Sequence, residues 1–228
     1  SAGGFQTGAQ APDTAKPTAV PLPADLIKRG GVLRQAHRRS PLHFRMDIRS
    51  ATDETTASAP IFNQLLALQN PDFVNLGPDL AESWDVSADG KTFTFNLASG
   101  VINHNGNPWT SSDAKFTLET LASETENRPP HERVRVGGVS LLESLETPDE
   151  STLIVNLAQP DGLFLANMGL QEPMMYTEVD YDEIGSLDNP VGTGPFRLTD
   201  HLVGEKLEYS RHDQYFKDGL PYLDGIET

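Results

Sequence analysis

The most chemically suggestive cluster in the sequence is a run of basic side chains near its start. Guanidinium groups bind carboxylates and phosphates through paired hydrogen bonds, so such a run can accept an anionic ligand. It can also be a solvated basic loop that pairs with the acidic body of the protein, and we favour that interpretation because surface charge patterns are poorly diagnostic. The cluster comprises Arg34, Arg38, Arg39, Arg45 and Arg49, with His37 and His43 among them.

Other chemically capable residues form no catalytic pattern. The Gly192–Gly194 turn lacks the Lys-Ser/Thr that completes a phosphate-binding loop, and a strand rather than a helix is predicted to follow it. Acidic pairs such as Glu119/Glu124 and Asp180/Asp182 have the chemistry of glycoside hydrolysis, but they arise by coincidence in a chain with 33 Asp and Glu residues. The sequence has no G-x-S-x-G nucleophile motif. We therefore predict a protein that is not an enzyme, with an acidic-pair hydrolase as an unfavoured alternative.

Amino-acid composition limits which partners and cofactors the protein is expected to bind. No two of the six histidines are spaced i, i+4, so a metal site would need side chains brought together by the fold. The absence of cysteine excludes disulfides and Cys-based zinc sites. A net charge of −16 disfavours nucleic acid and anionic membranes as partners, and no run of eighteen apolar residues exists to span a membrane. We predict no cofactor, no metal site and no nucleic-acid partner.

The stretch from Leu76 to Leu121 carries the clearest local structure. Residues 80–86 are predicted to be extended, and Asp89-Gly90 is predicted to form a turn. Residues 91–97 alternate apolar and polar side chains, which predicts a strand with one buried face. Thr110 and Asp113 form a T-x-x-D capping box that predicts the start of a helix.

This stretch resembles the most recognisable block of the family 5 extracellular solute-binding proteins, the peptide, dipeptide and nickel binding components of ABC transporters. The matching segments are LAESWDVSADGKTFTFNLASGV and NGNPWTSSDAKFTLE. Each piece is weak alone, but their order and spacing make the signal specific. The resemblance covers about residues 30–228, with further matching segments at Gly30–Ala36, Pro60–Leu66, Asn189–Phe196, Arg211–Phe216 and Leu220–Ile226.

Patterning outside that block predicts the remaining elements. Apolar spacing predicts a helix from Asp53 or Thr55 to about Gln69. A second helix is predicted over Pro160–Leu170. The predicted strands are Val139–Thr147 and Ser151–Leu157, joined by a turn at Pro148-Asp149-Glu150, and then Phe196–Thr199 and Lys206–Arg211.

The resemblance implies an α+β, mixed α/β fold: one lobe of a class II periplasmic-binding-protein-like structure, with a mixed sheet and an inserted hairpin-and-helix subdomain. Residues 1–29 are predicted to be a flexible Pro/Ala/Thr-rich leader. Residues 30–50 and 190–228 are assigned to the base of the first lobe, and residues 51–189 to the inserted accessory subdomain. Family members are considerably longer, so we expect this chain to be an N-terminal part without the second lobe.

The implied function is that of the substrate-binding component of an ABC importer, which captures peptides or similar polar solutes and delivers them to membrane permease subunits. Family position assigns the ligand-facing backbone to Ser50, Ala51, Thr52 and Asp53, because extended segments offer main-chain hydrogen bonds to a peptide. Arg45 and Arg49 can pair a ligand carboxylate, although a solvent-exposed role is favoured for both.

Localisation follows from the same resemblance. We expect a periplasmic or extracellular protein that is associated with the membrane through its transporter; the sequence itself contains no signal-peptide pattern. A stand-alone interaction or chaperone-like module built from one lobe is the principal alternative function.

Overall fold

A computed structural model describes residues 26–46, 52–68, 75–123, 134–136, 139–170, 173–181 and 189–228. The predicted leader, residues 1–29, lies outside this range except for its last four residues. Two four-stranded sheets organise the described residues, and each has its own apolar core. The fold is mixed α/β, as predicted.

The elements have the following bounds. The strands are β1 (Val32–Arg34), β2 (Leu66–Leu68), β3 (Leu76–Pro78), β4 (Ala81–Val86), β5 (Thr92–Leu97), β6 (Arg135–Val136), β7 (Val139–Ser140), β8 (Leu142–Asp149), β9 (Thr152–Leu157), β10 (Phe196–Leu202), β11 (Lys206–Arg211) and β12 (Gly225–Glu227). The helices are α1 (Thr52–Ser58), α2 (Ser111–Ala122) and α3 (Phe164–Met168).

The first sheet, called here the hairpin sheet, has the antiparallel order β4-β5-β9-β8. The turn between β4 and β5 uses Gly90 at a φ of 69°, a left-handed conformation that favours glycine. On β5 the buried side chains are Phe93, Phe95 and Leu97, as the alternation predicts. Helix α2 begins with the predicted capping box, in which the backbone N–H of Thr110 donates to the Asp113 carboxylate at 2.9 Å.

The second sheet, called here the base sheet, has the order β1-β12-β11-β10. Strand β1 is parallel to β12, and the other two pairings are antiparallel, so the sheet is mixed as predicted. One face packs on a core that includes Phe44, Met46, Ile61 and Tyr176. Strand β11 has the predicted bounds, and β10 continues three residues beyond the predicted Thr199.

Both helix predictions outside α2 are too long. Helix α1 ends at Ser58 because the proline at position 60 disfavours the helical conformation of the residue before it. After α1 the chain is irregular as far as Leu65 and enters β2 at Leu66, and both of these leucines are fully buried. The apolar residues that suggested a longer helix lie in this segment. Helix α3 spans only Phe164–Met168 rather than Pro160–Leu170.

The β8–β9 turn lies slightly later than predicted. Strand β8 continues through Pro148 and Asp149, and the turn occupies Glu150-Ser151. The Asp149 carboxylate accepts bonds from the Ser151 N–H at 2.9 Å and the Thr152 hydroxyl at 3.0 Å, so this side chain organises the reversal. The buried face of β9 is the predicted one, with Leu153, Val155 and Leu157.

Polar side chains join the two sheets between their cores. The Asn63 amide donates to Asp79 at 2.8 Å, and its carbonyl oxygen accepts from the Thr193 hydroxyl at 3.1 Å. Lys217, after β11, forms an ion pair with the same Asp79 carboxylate. Asn63 and Asp79 are buried, so these partners satisfy groups that would otherwise be costly to remove from water.

Candidate functional site

The segment that leads from β1 into α1 is called here the basic loop and comprises residues 38–46. Its path is fixed mainly by side chains. Phe44 and Met46 are fully buried in the core of the base sheet. The Met46 N–H donates to the Tyr176 hydroxyl at 2.8 Å, and the Gly204 N–H donates to the Ser40 hydroxyl at 2.6 Å. The loop is therefore anchored at Ser40 and at Met46.

Two arginines of the basic loop converge on α1. Arg39 and Arg38 approach one oxygen of the buried Asp53 carboxylate at 2.6 Å and 3.1 Å. These hydrogen bonds, that of Arg38 first, lower the pKa of Asp53 below its ordinary value. The Asp53 carboxylate thus holds the start of α1 against the basic loop. The favoured interpretation of the basic run, pairing with acidic groups of the body, is confirmed for these two arginines.

Arg45 occupies a different environment, among aromatic rings. Its guanidinium lies over the Tyr181 ring at 4.0 Å from the centroid and also donates to the Tyr181 hydroxyl. Tyr181 in turn packs edge-on against Phe116 of α2 at 5.0 Å and lies 5.9 Å from Tyr176. We call Arg45, Phe116 and Tyr181 the aromatic ledge. It combines a cation with apolar ring surface, a pairing suited to a carboxylate-bearing or aromatic ligand.

The structure describes three of the six predicted site residues, and each of the three has a different degree of burial. Thr52 is exposed at the first position of α1. Asp53 is buried and paired, and Arg45 is half-buried on the aromatic ledge. Arg49, Ser50 and Ala51 lie outside the described residues. The ligand-binding role of all six therefore stays a prediction.

The two aromatic residues of the ledge, Tyr181 and Phe116, are the residues that sequence reasoning missed. Tyr181 falls in a stretch that the sequence marks only as acidic and loop-rich. Phe116 belongs to a helix whose assignment rests on capping. One signal was available in the sequence, the apolar run Met174-Met175-Tyr176, which lies five residues before Tyr181. Its three side chains are all buried, so this part of the chain is packed against the core.

A polar cleft of about 260 Å³ lies beside the basic loop, on the side of the β10–β11 turn. Its walls carry three cations, Arg38, Arg39 and Lys206. Each of these cations is paired with an acid, Arg38 and Arg39 with Asp53 and Lys206 with Asp200 and Glu208. The remaining lining residues are Ala36, His37, Ser40, Gly204, Glu205, Leu207 and Thr228.

The Gly192–Gly194 turn is packed against the chain that follows α1. A Cβ built on Gly194 would lie 2.4 Å from the Ile61 carbonyl carbon, and one built on Gly192 would lie 2.3 Å from the Ile61 carbonyl oxygen. The Gly194 N–H donates to that oxygen at 2.7 Å. The glycines permit a close backbone approach, which agrees with the expected structural turn.

The described part of the chain contains neither a cluster of metal-binding side chains nor a helix that could span a membrane. No group of three or more His, Cys, Asp or Glu side chains there is arranged to hold a metal ion. None of the described helices combines the length and apolar character needed to cross a membrane.

Sequence comparison identifies the family. Residues 75–228 match the model for the middle region of the bacterial extracellular solute-binding proteins, family 5, and the chain belongs to that family. It is 31% identical over 202 residues to di/tripeptide-binding protein 4 of Pseudomonas aeruginosa, covering 79% of this chain and 38% of the relative. It is 28% identical over 189 residues to heme-binding protein A of Haemophilus influenzae, covering 75% of this chain and 34% of the relative.

Structural comparison gives the same class. An ABC transporter-associated periplasmic binding protein from Helicobacter pylori, solved in complex with peptide STSA, superposes with a TM-score of 0.73 at 25% identity. The match covers 89% of this chain and 43% of that structure. The fold is therefore periplasmic-binding-protein-like, of the class II type. The chain spans just over a third of the length of the curated relatives described above.

Proposed function

We propose that this protein is the substrate-binding component of an ABC importer, which captures peptides or similar polar solutes without covalent chemistry and delivers them to a membrane permease. The observation that carries the proposal is the family match over residues 75–228. The di/tripeptide-binding relative and the peptide-bound structural neighbour support the peptide class. The heme-binding relative shows that proteins of similar identity to this chain also include binders of ligands other than peptides.

The proposed ligand face lies where the basic loop meets α1. Main-chain groups of Ser50, Ala51 and Thr52 would bind the ligand backbone, as in strand addition, which tolerates different ligand sequences. The exposure of Thr52 supports this assignment. Arg45 would receive a ligand carboxylate while the Tyr181 ring supports its guanidinium, and Arg49 would add a second positive charge.

Asp53 has a supporting role in this proposal. Its carboxylate is already engaged by Arg38 and Arg39, and burial leaves it little access to a ligand. Its contribution is to fix the residue before it, Thr52, at the end of the proposed ligand-facing segment. Because two arginines already share this carboxylate, a ligand would have to displace one of them in order to bind it.

The proposal involves neither a reaction nor a cofactor. Capture would rest on hydrogen bonds, charge and apolar contact, and a ligand-driven change in shape would need different affinities for the open and closed states. Because the family comprises extracellular solute-binding proteins, we propose a periplasmic or extracellular location with membrane association through the permease.

Native mass spectrometry of the protein purified from its host tests the proposed function. We expect a co-purified peptide or similar polar solute that is retained at neutral pH and released unchanged on denaturation. Thermal-shift measurements with tri- to pentapeptides should then raise the melting temperature in a concentration-dependent manner. A released compound that is chemically altered, or no shift with any peptide, would contradict capture of peptides without turnover.

A variant pair tests the ligand face itself. Arg45→Ala should weaken the Kd for a peptide with a free carboxylate by about 10- to 100-fold, the value of a charge-assisted hydrogen bond. Arg34→Ala is the matched control, because Arg34 is exposed and pairs with Glu227 on the base sheet. Equal affinities for both variants would remove Arg45 from the site while leaving the family-level function standing.

A further inference from the structure

The buried His212 and the half-buried His104 meet at the junction between the two sheets. His104 lies in the turn between β5 and α2, and its backbone N–H donates to the Gly192 carbonyl at 3.0 Å. His212 follows β11, and its N–H donates to the Pro195 carbonyl at 2.8 Å. The rings are perpendicular, with centroids 4.9 Å apart. The chain that follows a strand of each sheet therefore places one imidazole against the Gly192–Gly194 turn.

Both imidazoles bind one acceptor, the carbonyl oxygen of Gly194. His104 Nε2 lies 3.0 Å from it and His212 Nδ1 lies 3.3 Å from it. A carbonyl oxygen accepts only, so each of these nitrogens carries a hydrogen. The other nitrogen of His104, Nδ1, is buried without a hydrogen-bond partner among the described residues. A proton added there would find no acceptor, so the arrangement suits a neutral His104 ring.

The charged groups around the pair oppose a second positive charge. Arg197 of β10 acts on both rings, and each ring would repel the other if charged. Asp213 favours a charged His212, but its carboxylate is also paired with Arg211 at 3.0 Å. On the side of the β5–α2 turn, the nearby acid Asp180 accepts bonds from Asn105 and Thr177.

We propose that His104 and His212 form an acid-sensitive latch, which holds the hairpin sheet against the base sheet while both rings are neutral and loosens the junction when a ring takes up a proton. The latch acts on the Gly192–Gly194 turn, which is packed on Ile61 and therefore links the segment after α1 to both sheets.

The direction of the pH effect follows from the state of the rings. Burial lowers the pKa of His104 from 6.5 to about 4, and burial likewise lowers the pKa of His212. The unfolded chain takes up these protons near pH 6.5, whereas the folded protein takes up that of His104 only near pH 4. Stability contributed by the neutral rings is present above pH 6.5 and is lost as pH falls toward 4.

The double variant His104→Gln/His212→Asn tests the latch. Gln places an amide nitrogen near the position of Nε2 and Asn places one near that of Nδ1, so both bonds to Gly194 can persist without titration. Between pH 7 and pH 4 the unfolding equilibrium constant of the wild type should rise at least ~100-fold more than that of the double variant. The control is Ser112→Ala, at an exposed position that carries no titratable group. It should retain the wild-type pH dependence.

Amide hydrogen exchange separates a latch from uniform loss of stability. Protection factors of the His104 and Gly194 N–H groups should fall between pH 7 and pH 5 more than that of Phe95 in β5. If the double variant does not fold, an NMR titration of the wild-type rings replaces it, with both pKa values expected below 6.5. A pKa at or above 6.5 for either ring, an unchanged pH dependence in the double variant, or parallel loss of protection would overturn the proposal.

Discussion

The hairpin sheet and the basic loop are held in place by different forces. In the hairpin sheet, backbone ladders connect four antiparallel strands, and Phe95, Leu153 and Val155 are buried beneath them. In the basic loop, Phe44 and Met46 are also buried, but the residues before them depend on the Arg38 and Arg39 pairs with Asp53 and on the bond from Gly204 to Ser40. Apolar burial is strong and insensitive to salt, whereas ion pairs with exposed arginines are weak and screened.

This difference has a functional consequence. A region held by apolar burial and strand ladders is a scaffold, since its conformation has few alternatives of similar energy. Residues 38–40 of the basic loop are held by a few polar contacts and can therefore adjust their conformation at low cost. The proposed ligand face adjoins the basic loop along the chain, and the aromatic ledge connects Arg45 to α2 through Tyr181.

The largest expected effect is on the hairpin sheet. Phe95→Ala removes a fully buried ring on the central strand between Trp84 and Leu153. It should lower the free energy of unfolding by about 3–5 kcal/mol, measured by urea denaturation. Thr94→Ala, on the opposite face of the same strand, is the control and should cost less than about 1 kcal/mol. Similar costs for the two variants would contradict a one-sided core.

A smaller effect is expected where the two regions meet. Gly194→Ala would place a Cβ within 2.5 Å of the backbone of Pro60 and Ile61, so the turn must shift. We expect a loss of about 1–3 kcal/mol of unfolding free energy. Gly162→Ala, whose Cβ would meet nothing within 4 Å, should be nearly neutral. A stable Gly194→Ala protein would show that the close approach is dispensable.

The capping box should give a change of about 1 kcal/mol. Asp113→Ala removes the carboxylate that accepts the Thr110 N–H at the start of α2. Thermal unfolding should show the loss, and Ser112→Ala, at an exposed neighbouring position, should not. If both substitutions behave alike, α2 is held by its packing rather than by its cap.

The smallest effect on stability is expected in the basic loop, and salt should reveal it. Asp53→Asn removes the charge shared by Arg38 and Arg39, so its destabilisation should shrink as ionic strength rises. Because the pKa of Asp53 is lowered, its stabilisation is present at neutral pH and is lost only below about pH 4. The exposed Asp218→Asn is the control. A salt-independent loss would mean that burial, rather than charge, holds the loop.

Sequence reasoning succeeded where pattern and local chemistry agree. The alternation at Phe93, Phe95 and Leu97 and the capping box at Thr110 predict structure correctly because each acts within a few residues. The predicted helix to Gln69 was wrong because helical spacing of buried residues can also arise from an irregular segment followed by a strand. There Pro60 was the stronger signal.

The candidate site was harder to predict than the fold. The Arg45–Tyr181 contact joins residues separated by 136 positions, and nothing local to either residue indicates the other. The pairing of Asp53 with Arg39 spans 14 positions in a loop without periodicity, so only the general expectation of acidic partners was available. Contacts of this kind depend on the assembled core beneath them.

Photo-crosslinking tests the location of the ligand face most directly. A tripeptide with a free carboxylate and a photoreactive side chain would be irradiated with the protein purified from its host, and the crosslinked fragments mapped by mass spectrometry. We predict labelling within residues 45–53 and around Tyr181, abolished by excess unlabelled peptide. Labelling confined to the outer face of the hairpin sheet, or labelling that excess unlabelled peptide does not abolish, would contradict the proposed location of the ligand face.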